Sequence, residues 1–80
     1  MSNQAKYTEA FMQALDIEAD KLPGLTYQSI PTWDSVGHMQ LVAALEDTFD
    51  IMMDTDDIID LNSFEAGKEI LKKYDVVVDG

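Results

Sequence analysis

The chain has 80 residues, 46% of them hydrophobic, which suits one small domain and leaves no room for a second. It has no cysteine, which excludes disulfide bonds and thiolate metal sites. Sixteen acidic against five basic residues give a formal net charge of −11, which disfavours binding to nucleic acid or anionic lipid and favours basic partners.

The first predicted element is a helix from about Asn3 to Asp16. Its apolar face carries Tyr7, Phe11, Ala14 and Leu15. From Ile17 to Trp33 the helical periodicity is lost, and Pro23-Gly24 and Pro31 predict an unusually long connection. Such a connection needs apolar anchors in the core, and five are available: Leu22, Leu25, Tyr27, Ile30 and Trp33.

The second predicted helix begins at or next to Ser35 and runs to about Phe49. Its apolar residues recur at intervals of three or four: Val36, Met39, Val42, Leu45 and Phe49. A serine at a helix start has a structural explanation, because its side-chain oxygen can accept a hydrogen bond from an early backbone N–H. Gly37 lacks a side chain and is expected to leave the approach to Ser35 open.

The remaining sequence predicts two more helices and a loose tail. Ile58-Ile59 lies among acids and suits barely two helical turns, whereas Asn62 or Ser63 can cap a final helix that continues to about Tyr74. The tail from Asp75 to Gly80 has no strand to pair with, so we expect it to fray. Three long helices and one short helix, without an internal repeat, predict a small all-α bundle in a single domain, residues 1–80.

The residues around Ser35 are the most informative part of the sequence. Asp34-Ser35-Val36 is followed by an apolar helix that Leu45-Glu46 and Phe49 close. This stretch resembles the acyl carrier protein family, whose members carry an Asp-Ser-Leu core, an apolar helix closed by Leu-Glu, and a Phe a few residues on. Val36 stands where that family usually has Leu. The Gly-Gly that often precedes the serine of peptidyl carriers is absent, so the acyl branch is the better match.

The resemblance implies an acyl carrier, a tethering protein with no catalytic residue and no metal site of its own. In that family the serine bears a covalent 4'-phosphopantetheine arm, and the matching residue here is Ser35, flanked by Asp34 and Val36. A phosphopantetheinyl transferase would attach the arm from coenzyme A with a divalent cation. The arm's thiol would then hold acyl intermediates of fatty acid, polyketide or related biosynthesis as thioesters.

Partner enzymes are expected to dock beside the serine. Val36 and Met39 offer an apolar patch, while Glu46 and Asp47 offer negative charge that steers enzymes with basic patches. We expect a monomer in the cytoplasm. The sequence contains no apolar run of about 18 residues that could span a membrane, and residues 1–4 lack the basic start of a signal peptide.

Other functions fit parts of the sequence. Asp34, Ser35 and His38 have the residue types of a hydrolase triad, but they lie within five residues at one helix start, which disfavours triad geometry. The segment from Asp54 to Glu65 imitates a calcium loop, although Ile58-Ile59 replaces the required oxygen ligand and glycine. An unmodified acidic interaction module and a calcium-responsive helical protein remain as alternatives to the carrier.

Overall fold

The computed structural model describes residues 2–78, and this part of the chain is mostly helical. Its α-helices are α1 (Asn3–Leu15), α2 (Ser35–Phe49), α3 (Thr55–Asp60) and α4 (Phe64–Lys72). A 3-10 helix, Ala19–Lys21, lies in the connection between α1 and α2. Residues 2–78 form no β-strand, only an isolated bridge between Thr26 and Ser63, so the predicted all-α class is confirmed. No helix among these residues is long and apolar enough to cross a membrane.

Local capping explains where the helices begin and end. Ser2, Asp34 and Ser63 precede α1, α2 and α4, and the side chain of each accepts a hydrogen bond from the backbone N–H three residues later. Both α1 and α2 end at an aspartate in the left-handed conformation, Asp16 and Asp50, with φ of 54°. Because these signals are local, the predicted bounds of α1 and α2 agree with the observed ones to within one residue.

An aromatic cluster forms the centre of the core. The Phe11 ring lies edge-on to the rings of Phe64 and Trp33, at centroid distances of 4.9 and 5.7 Å. Tyr7 packs on Phe11 at 4.9 Å, and its hydroxyl donates a 2.5 Å hydrogen bond to the Phe64 carbonyl oxygen. Burial, and to a lesser extent the charge of Glu65, raises the pKa of the Tyr7 hydroxyl. The cluster therefore joins α1 to the starts of α2 and α4.

The long connection between α1 and α2 is pinned to the core along its length. All five predicted anchors pack there: Leu22, Leu25, Tyr27, Ile30 and Trp33. Two backbone hydrogen bonds add to this packing. The Tyr27 N–H donates to the Asn62 carbonyl at 2.8 Å, and the Phe64 N–H donates to the Leu25 carbonyl at 2.9 Å. The connection is thus tied to the start of α4.

The prediction that the C-terminal tail frays is wrong for its described part. Val76 and Val78 are buried against the helical core. The Asn3 side-chain amide also donates a 3.1 Å hydrogen bond to the Val77 carbonyl oxygen. The valines thus gain by burying apolar surface against helices and need no partner strand. Residues 79 and 80, which the prediction also covered, lie outside the described part of the chain.

The missing side chain of Gly37 is not what keeps the approach to Ser35 open, contrary to expectation. It is buried, and a β-carbon at this position would lie 1.9 Å from the Thr32 carbonyl oxygen and 3.4 Å from the Leu15 side chain. The loop before α2 can cross the first turn of the helix only because a side chain is missing there. Glycine at this position therefore serves close packing next to the serine.

We predict that Gly37→Ala destabilises the fold by about 1–3 kcal/mol, because the Thr32 carbonyl must move to admit the methyl group. Urea unfolding followed by circular dichroism measures the change. Gln40→Ala, at an exposed position of the same helix, is the matched control and should change the free energy of unfolding by less than about 0.5 kcal/mol. Equal stability of Gly37→Ala and the wild type would contradict the close contact.

Candidate functional site

Ser35 is the first residue of α2, and it is exposed. The helix is capped by the preceding residue, since Asp34 Oδ1 accepts a 2.9 Å hydrogen bond from the Gly37 N–H. The structural explanation offered for the serine, that its hydroxyl caps the helix, is therefore wrong. Ser35 Oγ lies 3.5 Å from the Tyr27 hydroxyl oxygen, the upper limit for a hydrogen bond. The Ser35 hydroxyl is thus accessible and only loosely held.

The outer face of α2, which we define by Val36, Met39 and Asp47, follows the serine along the helix. Val36 and Met39 are 66% and 56% exposed, which is high for apolar side chains of this size. Asp47 is exposed about three helical turns after Val36, and it therefore lies on the same side of α2. The face presents an apolar contact area near Ser35 and a negative charge farther along.

Glu46 differs from its neighbour Asp47 in having a structural task. Its side chain is partly buried, and Oε2 accepts a 2.8 Å hydrogen bond from the Met53 N–H. The carboxylate thereby holds the loop that follows α2 against the helix. Of the two acids predicted to meet partners, Asp47 is the exposed one, so its charge can be changed without cutting this hydrogen bond.

His38 lies one helical turn after Ser35 but is engaged by other groups. The Trp33 indole N–H donates to His38 Nδ1 at 3.0 Å. Since the indole can only donate, Nδ1 is the acceptor, and the protonated Nε2 donates to the Ile58 carbonyl oxygen at 2.8 Å. With both ring nitrogens occupied, His38 is not positioned to take a proton from Ser35. These residues do not form the arrangement of a hydrolase triad.

A buried carboxylate joins α3 to the end of α4. The Asp57 carboxylate accepts hydrogen bonds from Lys73 Nζ at 2.8 Å and from the Tyr74 hydroxyl at 2.5 Å. The Tyr74 oxygen in turn accepts a 3.0 Å hydrogen bond from the Asp54 N–H. The hydrogen bond from Lys73, followed by that from Tyr74, holds the pKa of Asp57 below its usual range. This network fixes α3 beside the end of α4.

The segment from Asp54 to Glu65, which imitates a calcium loop in sequence, has a different structure. Half of it is α3, where Asp57 is bonded to Lys73. Glu65 lies in the first turn of α4, 3.5 Å from Lys68 Nζ. Within residues 2–78, no three or more His, Asp or Glu side chains converge as metal ligands. The geometry of this segment therefore gives no support to the calcium alternative.

A cavity of about 230 Å³ lies between the connection, α2 and the end of α3. It is lined by Tyr27, His38, Ile59, Leu61 and Asn62. Tyr27 both lines this cavity and contacts Ser35, so one side chain links the cavity to the serine. Its volume is below the usual range for small-molecule pockets, about 300 Å³ and more, so it suits a short apolar segment.

Tyr27 is the residue of this site that the sequence did not reveal. Its apolar ring predicts a core anchor, and it is only partly buried. No local pattern indicates that its hydroxyl lies against Ser35, because an irregular connection separates the two residues.

Comparisons of the chain with protein-family models, with curated proteins and with solved structures found no match. The interpretation of Ser35 therefore depends on the local sequence and on this geometry.

We predict that the fold loses stability in acid as Asp57 is protonated. Its pKa is lower in the folded than in the unfolded chain, so its carboxylate stabilises the fold above about pH 4. That contribution is lost as the pH falls from there through the folded pKa. Asp57→Asn should therefore lower the melting temperature at neutral pH and flatten its decline in acid.

Thermal unfolding between about pH 7 and pH 2 provides the measurement. Asp56→Asn, at the exposed neighbouring position of α3, removes the same charge without touching Lys73 and is the matched control. Identical pH profiles for Asp57→Asn and Asp56→Asn would contradict the role of the network.

Proposed function

We propose that the protein is an acyl carrier that bears 4'-phosphopantetheine on Ser35. The observation that carries the proposal is the exposed position of Ser35 at the start of α2. Asp34, and not Ser35, caps this helix, so the serine hydroxyl is not used as a cap. The resemblance of Asp34-Ser35-Val36 and the following helix to the acyl carrier family supports the same residue. In this proposal α1, α2 and α4 are the three long helices of the carrier bundle, and α3 is the short one.

The residues around Ser35 fit a covalently attached phosphodiester. The first turn of α2 contributes a positive partial charge beside the hydroxyl, and the exposed position leaves room for a transferase to approach. In the proposed step Ser35 Oγ attacks the β-phosphorus of coenzyme A on a transferase with a divalent cation. The pyrophosphate bond breaks, adenosine bisphosphate leaves, and the hydroxyl proton passes to the transferase. Once attached, the arm supplies the thiol that carries an acyl group as a thioester.

The outer face of α2 is proposed as the docking surface for the transferase and for acyl-transferring biosynthetic enzymes. Val36 and Met39 would contact an apolar area on the partner, and Asp47 would attract basic residues during the encounter. The cavity beside Tyr27 is suited to the apolar part of a short cargo. The net charge of −11 also favours basic partners.

We predict that Ser35→Ala folds normally and is never modified. The chain is incubated with a phosphopantetheinyl transferase, coenzyme A and magnesium, and its intact mass is then measured. Ser29→Ala, which removes another exposed serine hydroxyl from the connection, is the control and should gain the arm. An arm on Ser35→Ala would contradict the assignment of the site. An unmodified wild-type chain would contradict the proposed function and favour an unmodified interaction module.

A second prediction is that Asp47→Lys slows modification several-fold at low ionic strength. Steering by an exposed charge is screened over about 10 Å at 0.1 M salt, so the difference from the wild type should shrink as salt is added. Initial rates over a salt series provide the measurement. Asp20→Lys, on the 3-10 helix, makes the same charge change away from α2. Equal slowing by both variants would contradict a docking role for Asp47 and indicate an effect of net charge alone.

A further inference from the structure

We propose that Tyr27 is a positioning residue, whose hydroxyl donates a hydrogen bond to the phosphodiester attached to Ser35. The inference rests on the proposed function of Ser35. It concerns a residue of the connection between α1 and α2, outside the specific stretch around Ser35 that carries the resemblance to the carrier family. The distance of 3.5 Å between the Tyr27 hydroxyl oxygen and Ser35 Oγ is the starting observation.

The Tyr27 side chain is held in place before any group is attached to the serine. Its backbone N–H donates a 2.8 Å hydrogen bond to the Asn62 carbonyl. Its ring packs edge-on against Trp33 and His38, at centroid distances of 6.2 and 5.3 Å. Since Trp33 is fully buried and bonded to His38, this support is rigid. Little conformational entropy would be lost when the Tyr27 hydroxyl binds a further group.

The contact with the free serine is a poor hydrogen bond, because 3.5 Å is at the upper limit for two hydroxyl oxygens. A phosphodiester on Ser35 Oγ carries nonbridging oxygens two bonds farther out. Rotation about the Cβ–Oγ and Oγ–P bonds can bring one of these oxygens to the Tyr27 hydroxyl. Hydrogen bonds to ionised acceptors are also stronger than those between neutral groups. The contact should therefore strengthen when Ser35 is modified.

The negative charge of Asp34 is a second reason why the Tyr27 hydroxyl, a neutral donor, would orient the attached diester. Asp34 Oδ1 accepts a hydrogen bond from the Gly37 N–H, and Asp34 directly precedes the serine in the chain. A diester on Ser35 would be repelled by that carboxylate and attracted by a donor elsewhere. The Tyr27 hydroxyl is such a donor, and Tyr27 is one of the residues that line the cavity of about 230 Å³. The hydrogen bond would thus direct the attached group toward the cavity side of Ser35.

The test compares three modified proteins: the wild type, Tyr27→Phe and Tyr74→Phe. Tyr27→Phe keeps the ring that packs on Trp33 and loses only the hydroxyl. Tyr74→Phe is the matched control, because it removes a hydroxyl that is bonded to Asp57. The phosphorus-31 NMR shift of the diester reports its hydrogen bonding directly, independently of any partner enzyme. We expect this shift to change in Tyr27→Phe alone, because phenylalanine has no hydroxyl to donate to the diester.

A second measurement needs no variant. In the wild type labelled with carbon-13 at tyrosine Cζ, modification of Ser35 should move the Tyr27 resonance more than those of Tyr7 and Tyr74. Unchanged phosphorus and Tyr27 resonances in a normally modified protein would overturn the inference and leave the proposed function intact. Equal phosphorus shifts in both tyrosine variants would also overturn it. A wild-type chain that no transferase modifies would overturn the proposed function and this inference with it.

Discussion

The hydrogen bond from the Trp33 indole to His38 holds together the parts of the molecule that surround Ser35. Trp33 lies at the end of the long connection and is fully buried. His38 belongs to α2 and donates a second hydrogen bond, to the Ile58 carbonyl oxygen of α3. Without His38 the buried indole N–H would lose its acceptor, at a cost of about 1–3 kcal/mol. The His38 imidazole therefore fixes the positions of the connection, α2 and α3 relative to one another around the serine.

The neighbours of Ser35 have structural tasks, and the serine hydroxyl has none beyond a long contact to Tyr27. Asp34 caps α2, Gly37 admits the Thr32 carbonyl, and His38 bridges to α3. A hydroxyl at a rigid helix start, exposed and free of the cap, can be reached by another protein without any change of the fold. This arrangement is what a covalent attachment site requires, and it is the physical basis of the proposal.

Some of the acidic residues are engaged within the fold. Asp57 is buried against Lys73 and Tyr74, and Glu46 is bonded to the backbone of the following loop. Asp47 is exposed on the outer face of α2. Part of the charge that the sequence concentrates after α2 therefore stabilises the fold.

The sequence by itself determined the all-α class, the bounds of α1 and α2, and the place of Ser35 at a helix start. Periodicity and capping act over about four residues, so a single stretch of chain contains the whole signal. Only the tertiary structure decided that Tyr27 lies against Ser35, that Thr32 crosses Gly37, and that two valines of the tail, Val76 and Val78, are buried. It also paired Asp57 with Lys73, which lies 16 residues away. These contacts form between elements, and they depend on how the helices and the irregular connection pack, which no local pattern specifies.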